Sequence, residues 1–486
     1  MPGVLEVCLA TPLLTLLSPD DQKRIHTDSL RALEDVGLQI LEPQALEILA
    51  GHGARVDRAR QRVCFPPDLV TASVARAPHA FSLFSRDGDR EIRLRQGEVY
   101  FTTNGYAVHL YDPASGARRG IQQKDLAWVT QLADSMDQID FYSVMATPAD
   151  APPETNDRYQ LAVSVANTTK PIWNTAYGPE GVRDAVAIGT AVRGSRQALR
   201  EKPLFTLDLT TLSPLQLDER QAGTMIEGAR QGLPIGISPG PIAGATAPVT
   251  LAGTIVQANA ELLGAITLVQ LVQAGTPVVF TQYTRSLDMA SGGVTMGGPE
   301  FALFRIATAE MARFYDLPSR GGGLIADGKA CDAQVGAEKM LSVLAASLSG
   351  LTISAGAGFV DFINTIRPEQ LLIDNEIISQ VRRLRRGIAL DEGSLALDVI
   401  AQVGPGGNYL AQDHTASNFR SELWFPKLWD RKPWSVWEAE GGKDVARRAA
   451  ERLAAWSPKV PPLTEDVERA VWDVVREADG KVARPR

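Results

Sequence analysis

Leu204-Phe-Thr-Leu-Asp-Leu-Thr210, Pro234-Ile-Gly-Ile-Ser238 and Pro277-Val-Val-Phe-Thr-Gln-Tyr283 decide the fold. Each is a short run of apolar, β-branched or aromatic residues that ends on polar ones. Near-continuous apolar character, rather than strict alternation, suits parallel strands buried on both faces. Between these runs stand helical stretches. Residues 215–231 follow Ser213-Pro214, and residues 249–273 follow Thr246-Ala-Pro248, with proline in the first turn. The same alternation extends outward in both directions. Residues 141–146 and 171–177 read as strands upstream, and 317–324, 351–354 and 370–373 as strands downstream. Residues 332–348 and 377–386 supply further helices. Strands and helices alternating in this way predict an α/β protein, a (β/α)8 TIM barrel. A doubly wound open sheet alternates similarly but usually carries a glycine-rich phosphate loop after its first strand, and none stands there.

The flanks read differently. Residues 20–54 are helical in pattern, and Phe81-Ser-Leu-Phe-Ser85, Glu91-Ile-Arg-Leu-Arg95 and Val99-Tyr-Phe-Thr-Thr103 alternate apolar and polar residues. That period of two marks half-buried antiparallel strands. The expected organisation is an N-terminal α+β extension over 1–120, a barrel over 121–402, and a C-terminal segment over 403–486. The last begins with the loop Gly404-Pro-Gly-Gly407, crowds Trp424, Trp429, Trp434 and Trp437 together, and ends in a charged amphipathic helical tail.

Composition narrows the function. Lys+Arg 49 against Asp+Glu 57 leaves a net charge of −8, which argues against nucleic acid or an anionic membrane as the main partner. Cys8, Cys64 and Cys331 have no metal-binding spacing, and the five histidines form no HExxH, so no metal site is expected on this chain. The first ten residues lack a basic region and contain Glu6, a poor secretory leader. Residues 340–360 are uncharged, but Gly350 splits them into a buried helix and a buried strand. A soluble, cytoplasmic protein is expected.

In a barrel enzyme the site lies at the C-terminal ends of the strands. That rule selects Asn174, Thr175, Tyr177, Asp208, Thr210, Ser213, Ser238, Gln282, Tyr283, Asp327, Lys329, Ser354, Asp374 and Glu376. Trp173, Tyr177, Phe205, Phe280 and Tyr283 stand beside the carboxylates Asp208, Asp327 and Glu376, and aromatic faces with carboxylates suit an organic cation. Each has a plainer reading: aromatic residues alternate toward the helices, aspartates cap helices, and Glu376 sits where a helix dipole favours a carboxylate. Lys329 is a nucleophile only if burial depresses its pKa. His414 follows a glycine-rich loop, which either brings it to a ligand or leaves it bonded to backbone. Ser291-Gly-Gly-Val-Thr-Met-Gly-Gly-Pro299 holds no basic residue and reads as a lid at the barrel mouth. Arg382, Arg383, Arg385 and Arg386 before Gly387 read as a helix C-terminus, with a docking patch for an acidic partner as the alternative.

Pro239-Gly-Pro-Ile-Ala-Gly-Ala-Thr-Ala-Pro-Val-Thr-Leu-Ala-Gly253 and Gln257-Ala-Asn-Ala-Glu-Leu-Leu-Gly264 resemble the trimethylamine methyltransferase family. Further matching stretches are Asp327-Gly-Lys-Ala-Cys-Asp-Ala-Gln334 with Glu338-Lys339, Gly404-Pro-Gly-Gly407 with His414-Thr415, and Trp424-Phe-Pro426 with Asp430-Arg431. The resemblance spans nearly the whole chain and implies the same barrel. Trimethylamine-using members carry pyrrolysine after strand 6, whereas Gly328 or Lys329 stands here, so the resemblance is to pyrrolysine-lacking, glycine betaine methyltransferase-like members. It implies a corrinoid-dependent methyltransferase moving a methyl group from a quaternary amine to Co(I). The cobalamin belongs to a separate corrinoid protein, because no DxHxxG motif occurs in this chain. Asp327, Lys329, Glu376 and His414 are then the candidate catalytic groups. Asn174, Tyr177, Asp208, Gln282 and Tyr283 are the candidate amine contacts. The tryptophan-rich segment either packs or flanks the docked corrinoid protein, and an exposed tryptophan cluster is compatible with a homo-oligomer. The alternatives are a barrel lyase or decarboxylase on a small acid, and a non-catalytic binder of a methylated amine.

Overall fold

The computed structural model describes residues 9–482. Cys8 and the stretch around Glu6, weighed above as a leader, lie outside the described residues. Eight parallel strands form the central sheet: β1 (Tyr100–Thr103), β2 (Tyr142–Ser143), β3 (Ile172–Asn174), β4 (Phe205–Leu209), β5 (Ile235–Ile237), β6 (Val278–Thr281), β7 (Ser319–Gly322) and β8 (Ile353–Ala357). From β2 to β8 the strands pair in chain order, and β8 pairs in parallel with β1. A bridge from Thr102 to Phe141 closes the cylinder. Each strand is followed by a helix: α1 (Gln123–Asp134), α2 (Asn156–Asn167), α3 (Gly178–Arg193), α4 (Glu219–Gln231), α5 (Leu251–Val272), α6 (Pro299–Phe314), α7 (Ala333–Leu348) and α8 (Pro368–Arg386).

Two sequence expectations move. Residues 370–373, expected as the eighth strand, form the first turns of α8. Pro368 opens this helix, and Leu371, Ile377, Ile378 and Val381 recur at helical spacing along its buried face. The strand that completes the barrel is β1, which reads as antiparallel and lies upstream of residue 121. Its alternation has a different cause. Phe101 packs outward under the helices, while Thr102 turns to the polar interior and bonds the Ser143 hydroxyl at 3.0 Å.

The N-terminal end of the cylinder is plugged. A hairpin of Phe81–Phe84 and Glu91–Leu94 places Leu83, Ile92 and Leu94 against Phe141, Trp173, Val279 and Ile353. Backbone bonds from Phe84 to the Pro203 carbonyl and from Arg86 to that of Thr169 fix it just ahead of β4 and β3. The Trp173 indole fits above this floor because β5 offers glycine there: a Cβ on Gly236 would lie 2.2 Å from the ring.

Helix α5 is long and apolar enough to cross a membrane, but 78% of its apolar window is buried in this chain. The helices Pro19–Arg31, Pro43–Gly51 and Pro67–Val74 cover it. Lys339 of α7 and Asp374 of α8 form a fully buried ion pair at 2.6 Å, and Asp374 also accepts from the Gly358 N–H at 2.7 Å. Beyond α8 come α9 (Glu392–Leu395), α10 (Leu397–Val403), α11 (Asp413–Glu422), α12 (Val445–Ala454) and α13 (Glu465–Val482). Helix α12 packs on α8, and α13 packs on α2 and α3, where Tyr159 donates to Asp479 at 2.7 Å.

Candidate functional site

At the C-terminal ends of the strands a cavity of about 400 Å3 opens, walled by Asn104, Tyr106, Asp208, Ser238, Tyr283 and Arg285 among others. That volume suits a small organic ligand. Asp208 projects inward near the end of β4 and accepts from the Ser238 hydroxyl at 3.1 Å. Beneath it lies Arg320 of β7, 1% exposed, 3.8 Å from the Asp208 carboxylate. The Arg320 guanidinium stacks 4.4 Å over Trp173 and 5.3 Å from the Tyr283 ring, and reaches the Ser143 hydroxyl at 3.4 Å. Its Nε and Nη1 have no hydrogen-bond partner among the described residues.

Arg285, in the cavity wall, likewise has a buried Nε without a partner, and among the described residues no carboxylate lies at ion-pair distance from it. Burial lowers its pKa. The nearby Arg305, pulled down to about 9 by burial, is held by the carbonyls of Gln282 and Thr284. Arg320 alone stands at ion-pair distance from Asp208, while Arg285 in the wall and Arg305 behind it pair with no carboxylate among the described residues. The phenols are neutral. Burial, and then the Asp208 charge, lift Tyr106 well above the ordinary tyrosine range; burial also lifts Tyr283, which donates to Asn104 Oδ1 at 3.2 Å. Tyr106 sits at φ 77°, a region L residues rarely adopt, and its buried hydroxyl has no partner among the described residues. The cavity therefore presents aromatic faces, one carboxylate, and more guanidinium charge than that carboxylate balances.

Helix α5 braces the wall. Glu261, its pKa raised by burial, accepts from the hydroxyls of Thr211 at 2.7 Å and Ser213 at 2.8 Å, the Leu215 N–H at 3.0 Å and Gln257 at 3.0 Å. This is the structural task of Gln257-Ala-Asn-Ala-Glu261: it fixes the loop after β4.

A second cavity of about 710 Å3 is lined by Asp327, Lys329, Asp288, Thr295 and Phe362. The loop that reads as a lid pairs back on itself, Ser286 with Thr295 and Leu287 with Val294. Asp327 holds it by accepting the Thr295 hydroxyl and the Met296 N–H, the latter at 2.7 Å. Lys329 is exposed, donates to the Asp327 carbonyl at 2.8 Å and lies 5.2 Å from the Phe362 ring.

Of the expected residues, Asp208, Thr210, Ser213, Ser238 and Tyr283 line the mouth cavity, and Asp327 and Lys329 line its neighbour. The others lie elsewhere. Asn174 is buried at the end of β3, donating to the Thr175 carbonyl. Tyr177 precedes α3, its N–H bonded to Asp157 at 2.8 Å and its ring under Arg220 at 5.3 Å. Gln282 turns outward to the Thr308 hydroxyl on α6, as expected for the residue between inward-facing Thr281 and Tyr283. Glu376 is inside α8, not at a strand end, and accepts the N–H groups of Lys427 at 2.7 Å and Leu428 at 3.0 Å, anchoring the C-terminal segment. Residues 370–373 and Glu376 belong to one helix, so no strand end brings Glu376 to the mouth. His414 stands on α11, where its carbonyl accepts from Asn418. Trp424 donates to the Ser379 hydroxyl at 3.0 Å and meets Trp429 edge to face, whereas Trp434 is exposed.

Asn104, Tyr106, Arg285 and Arg320 were not singled out in the sequence. Counting Tyr100–Thr103 as a barrel strand would have placed Asn104 and Tyr106 at a strand end. A charged residue inside Leu317-Pro-Ser-Arg-Gly-Gly-Gly-Leu324 was the available signal for Arg320.

The comparisons with known proteins agree with this architecture. The family model described as trimethylamine methyltransferase (MTTB) matches residues 4–481. The trimethylamine methyltransferase MttB of Desulfitobacterium hafniense (strain DSM 10664 / DCB-2) is 34% identical, covering 95% of this chain and 93% of that protein. The glycine betaine methyltransferase of Desulfitobacterium hafniense (strain Y51) is 32% identical, covering 93% of this chain and 95% of that protein. Among solved structures, the Methanosarcina barkeri monomethylamine methyltransferase (MtmB) superposes with a TM-score of 0.54 at 11% identity, covering 96% of this chain and 88% of that one, a likeness of fold. The chain belongs to the trimethylamine methyltransferase family and is a methyltransferase.

Proposed function

We propose that this enzyme takes a methyl group from a quaternary ammonium that also carries a carboxylate, a betaine-like amine, and delivers it in the cytoplasm to the corrinoid of a separate protein. The observation that carries the substrate class is the charge of the mouth cavity. Asp208, Tyr106 and Tyr283 offer a seat for an organic cation. Arg285 and Arg320 keep donors that no described residue satisfies, and buried donors of this kind call for an acceptor. A zwitterion meets both needs, whereas trimethylamine or choline meets one.

The acceptor supplies a strongly nucleophilic Co(I), to which the methyl carbon bonds as the C–N pair leaves on nitrogen. The departing amine is neutral and needs no proton, so no general acid is required of this chain. The chain's residues orient the N–CH3 bond and exclude water. Asp208 must hold a charge that disappears during the reaction, so strong pairing would oppose the transfer. Its contacts with Arg320 and Ser238 temper that hold. Asp327 acts as a positioning residue through the loop it fastens.

The test mixes the protein with reduced cob(I)alamin, free or on a corrinoid protein, and glycine betaine, proline betaine, carnitine, choline or trimethylamine. Loss of the Co(I) absorbance with carboxylated quaternary amines, and not with choline or trimethylamine, is the expected result. Equal rates with choline would overturn the zwitterion reading. Binding without any methylation would identify a binder instead.

A further inference from the structure

The segment from Leu390 to Glu422 contributes almost nothing to its own fold. Helices α9, α10 and α11 contain no buried residue, and Ala396 between them is 8% exposed. Leu397 is 74% exposed and Leu410 84%, with Ile400, Leu395 and Tyr409 also open. Helices this short do not hold in water without a surface to pack on. The segment leaves the barrel at the end of α8 and returns to the same place. Ile388 and Ala389 pair with Ala10 and Leu9, and the Glu422 carbonyl accepts from Arg383 at 2.8 Å. It is an arm closed at its base.

That base lies at the end of the barrel opposite the mouth. Arg382 at the end of α8 bonds Asp140 at 2.6 Å, and Asp140 accepts from the Phe101 N–H just ahead of β2. A partner that must reach the mouth does not seat here. Beside the base runs a groove of about 610 Å3, lined by Thr11, Pro12, Leu384, Ile388, Trp424 and Arg383 among others. Leu384 and Ile388 are exposed in it. The charges are complementary. Arg383 in the groove and Arg386 beside it share one carboxylate, Glu422 at the arm's base, at 3.6 and 3.7 Å, which leaves positive charge there uncompensated, while the arm beyond its base carries Asp391, Glu392, Asp398 and Asp413 against Arg420 alone.

We propose that the occupant of this groove is the arm of a second copy of the chain, exchanged reciprocally about a two-fold axis. An acidic, apolar projection and a basic, apolar groove on one molecule make such a contact self-complementary. Two sets of side chains then lose their exposure together, which neither achieves within one chain.

Sedimentation velocity on the full chain at micromolar concentration tests this. The expected species is a dimer. Leu397→Asp with Leu410→Asp on the arm, and separately Ile388→Glu in the groove, should each raise the dissociation constant at least a hundredfold. Mixing the two variants should restore dimers in part, since one intact arm then meets one intact groove; this also shows that both variants are folded. A wild-type monomer, or variants that dimerise as the wild type does, would overturn the proposal.

Discussion

Asp208 and Arg285 divide the mouth cavity between them, and each gives a separable expectation. Asp208→Asn keeps the shape and removes the charge opposite the ammonium; kcat/KM for glycine betaine should fall about a hundredfold, roughly 2.7 kcal/mol. Arg285→Met should raise the KM for glycine betaine at least tenfold, about 1.4 kcal/mol, while leaving the affinity for tetramethylammonium within twofold. Calorimetric titration with both ligands checks the contrast. Equal losses for both would assign Arg285 to the scaffold. Lys170, outside the site, reports on burial. Its ammonium bonds the Ala133 and Met136 carbonyls at 2.8 Å each, yet burial pulls its pKa down to about 8 from 10.5. The unfolded chain keeps that proton up to a higher pH than the folded one. Stability therefore rises as pH climbs from 8 toward 10.5, by about 3 kcal/mol at most, and the gain is absent below 8. Thermal melts of the wild type and Lys170→Met across this range should differ in slope.

Elements set which of these residues meet. The strands β4, β5 and β6 were legible in the sequence because apolar, β-branched runs ending in polar residues have few other homes in a soluble fold. Asp208 and Tyr283 followed directly from their ends. Residues 370–373 and Tyr100–Thr103 were exchanged for a physical reason: a four-residue apolar run fits the buried side of a helix as well as a strand. A barrel strand with a polar interior alternates like a sheet edge. Gln282 stands one step of the strand's alternation from Tyr283, which sends it outward to α6 once Tyr283 faces the cavity, and Glu376 is misplaced by the same exchange of helix for strand. The loop between α5 and α6 offers an element-level test. Asp327→Ala removes two acceptors from the hairpin of Arg285–Leu287 and Val294–Thr295. Faster amide exchange confined to residues 285–297, with a higher KM for the amine, is the expected signature.

At the scale of the whole molecule, buried charge ties the layers together. Removing Lys339 would leave Asp374 uncompensated between α7 and α8, so Lys339→Met should cost about 3–5 kcal/mol in denaturant unfolding, and Lys339→Met with Asp374→Leu should recover part of that loss. The hairpin under Trp173 has a different consequence, in time rather than energy. A cylinder stoppered at one end has a single doorway, and on the proposed reaction the cobalt centre comes to that doorway for the methyl group. The expected sequence is then amine first and corrinoid protein second, with the demethylated amine held until that protein has gone. Product-inhibition kinetics check it: an ordered pattern is expected, in which release of the small product is gated by the departure of the large one.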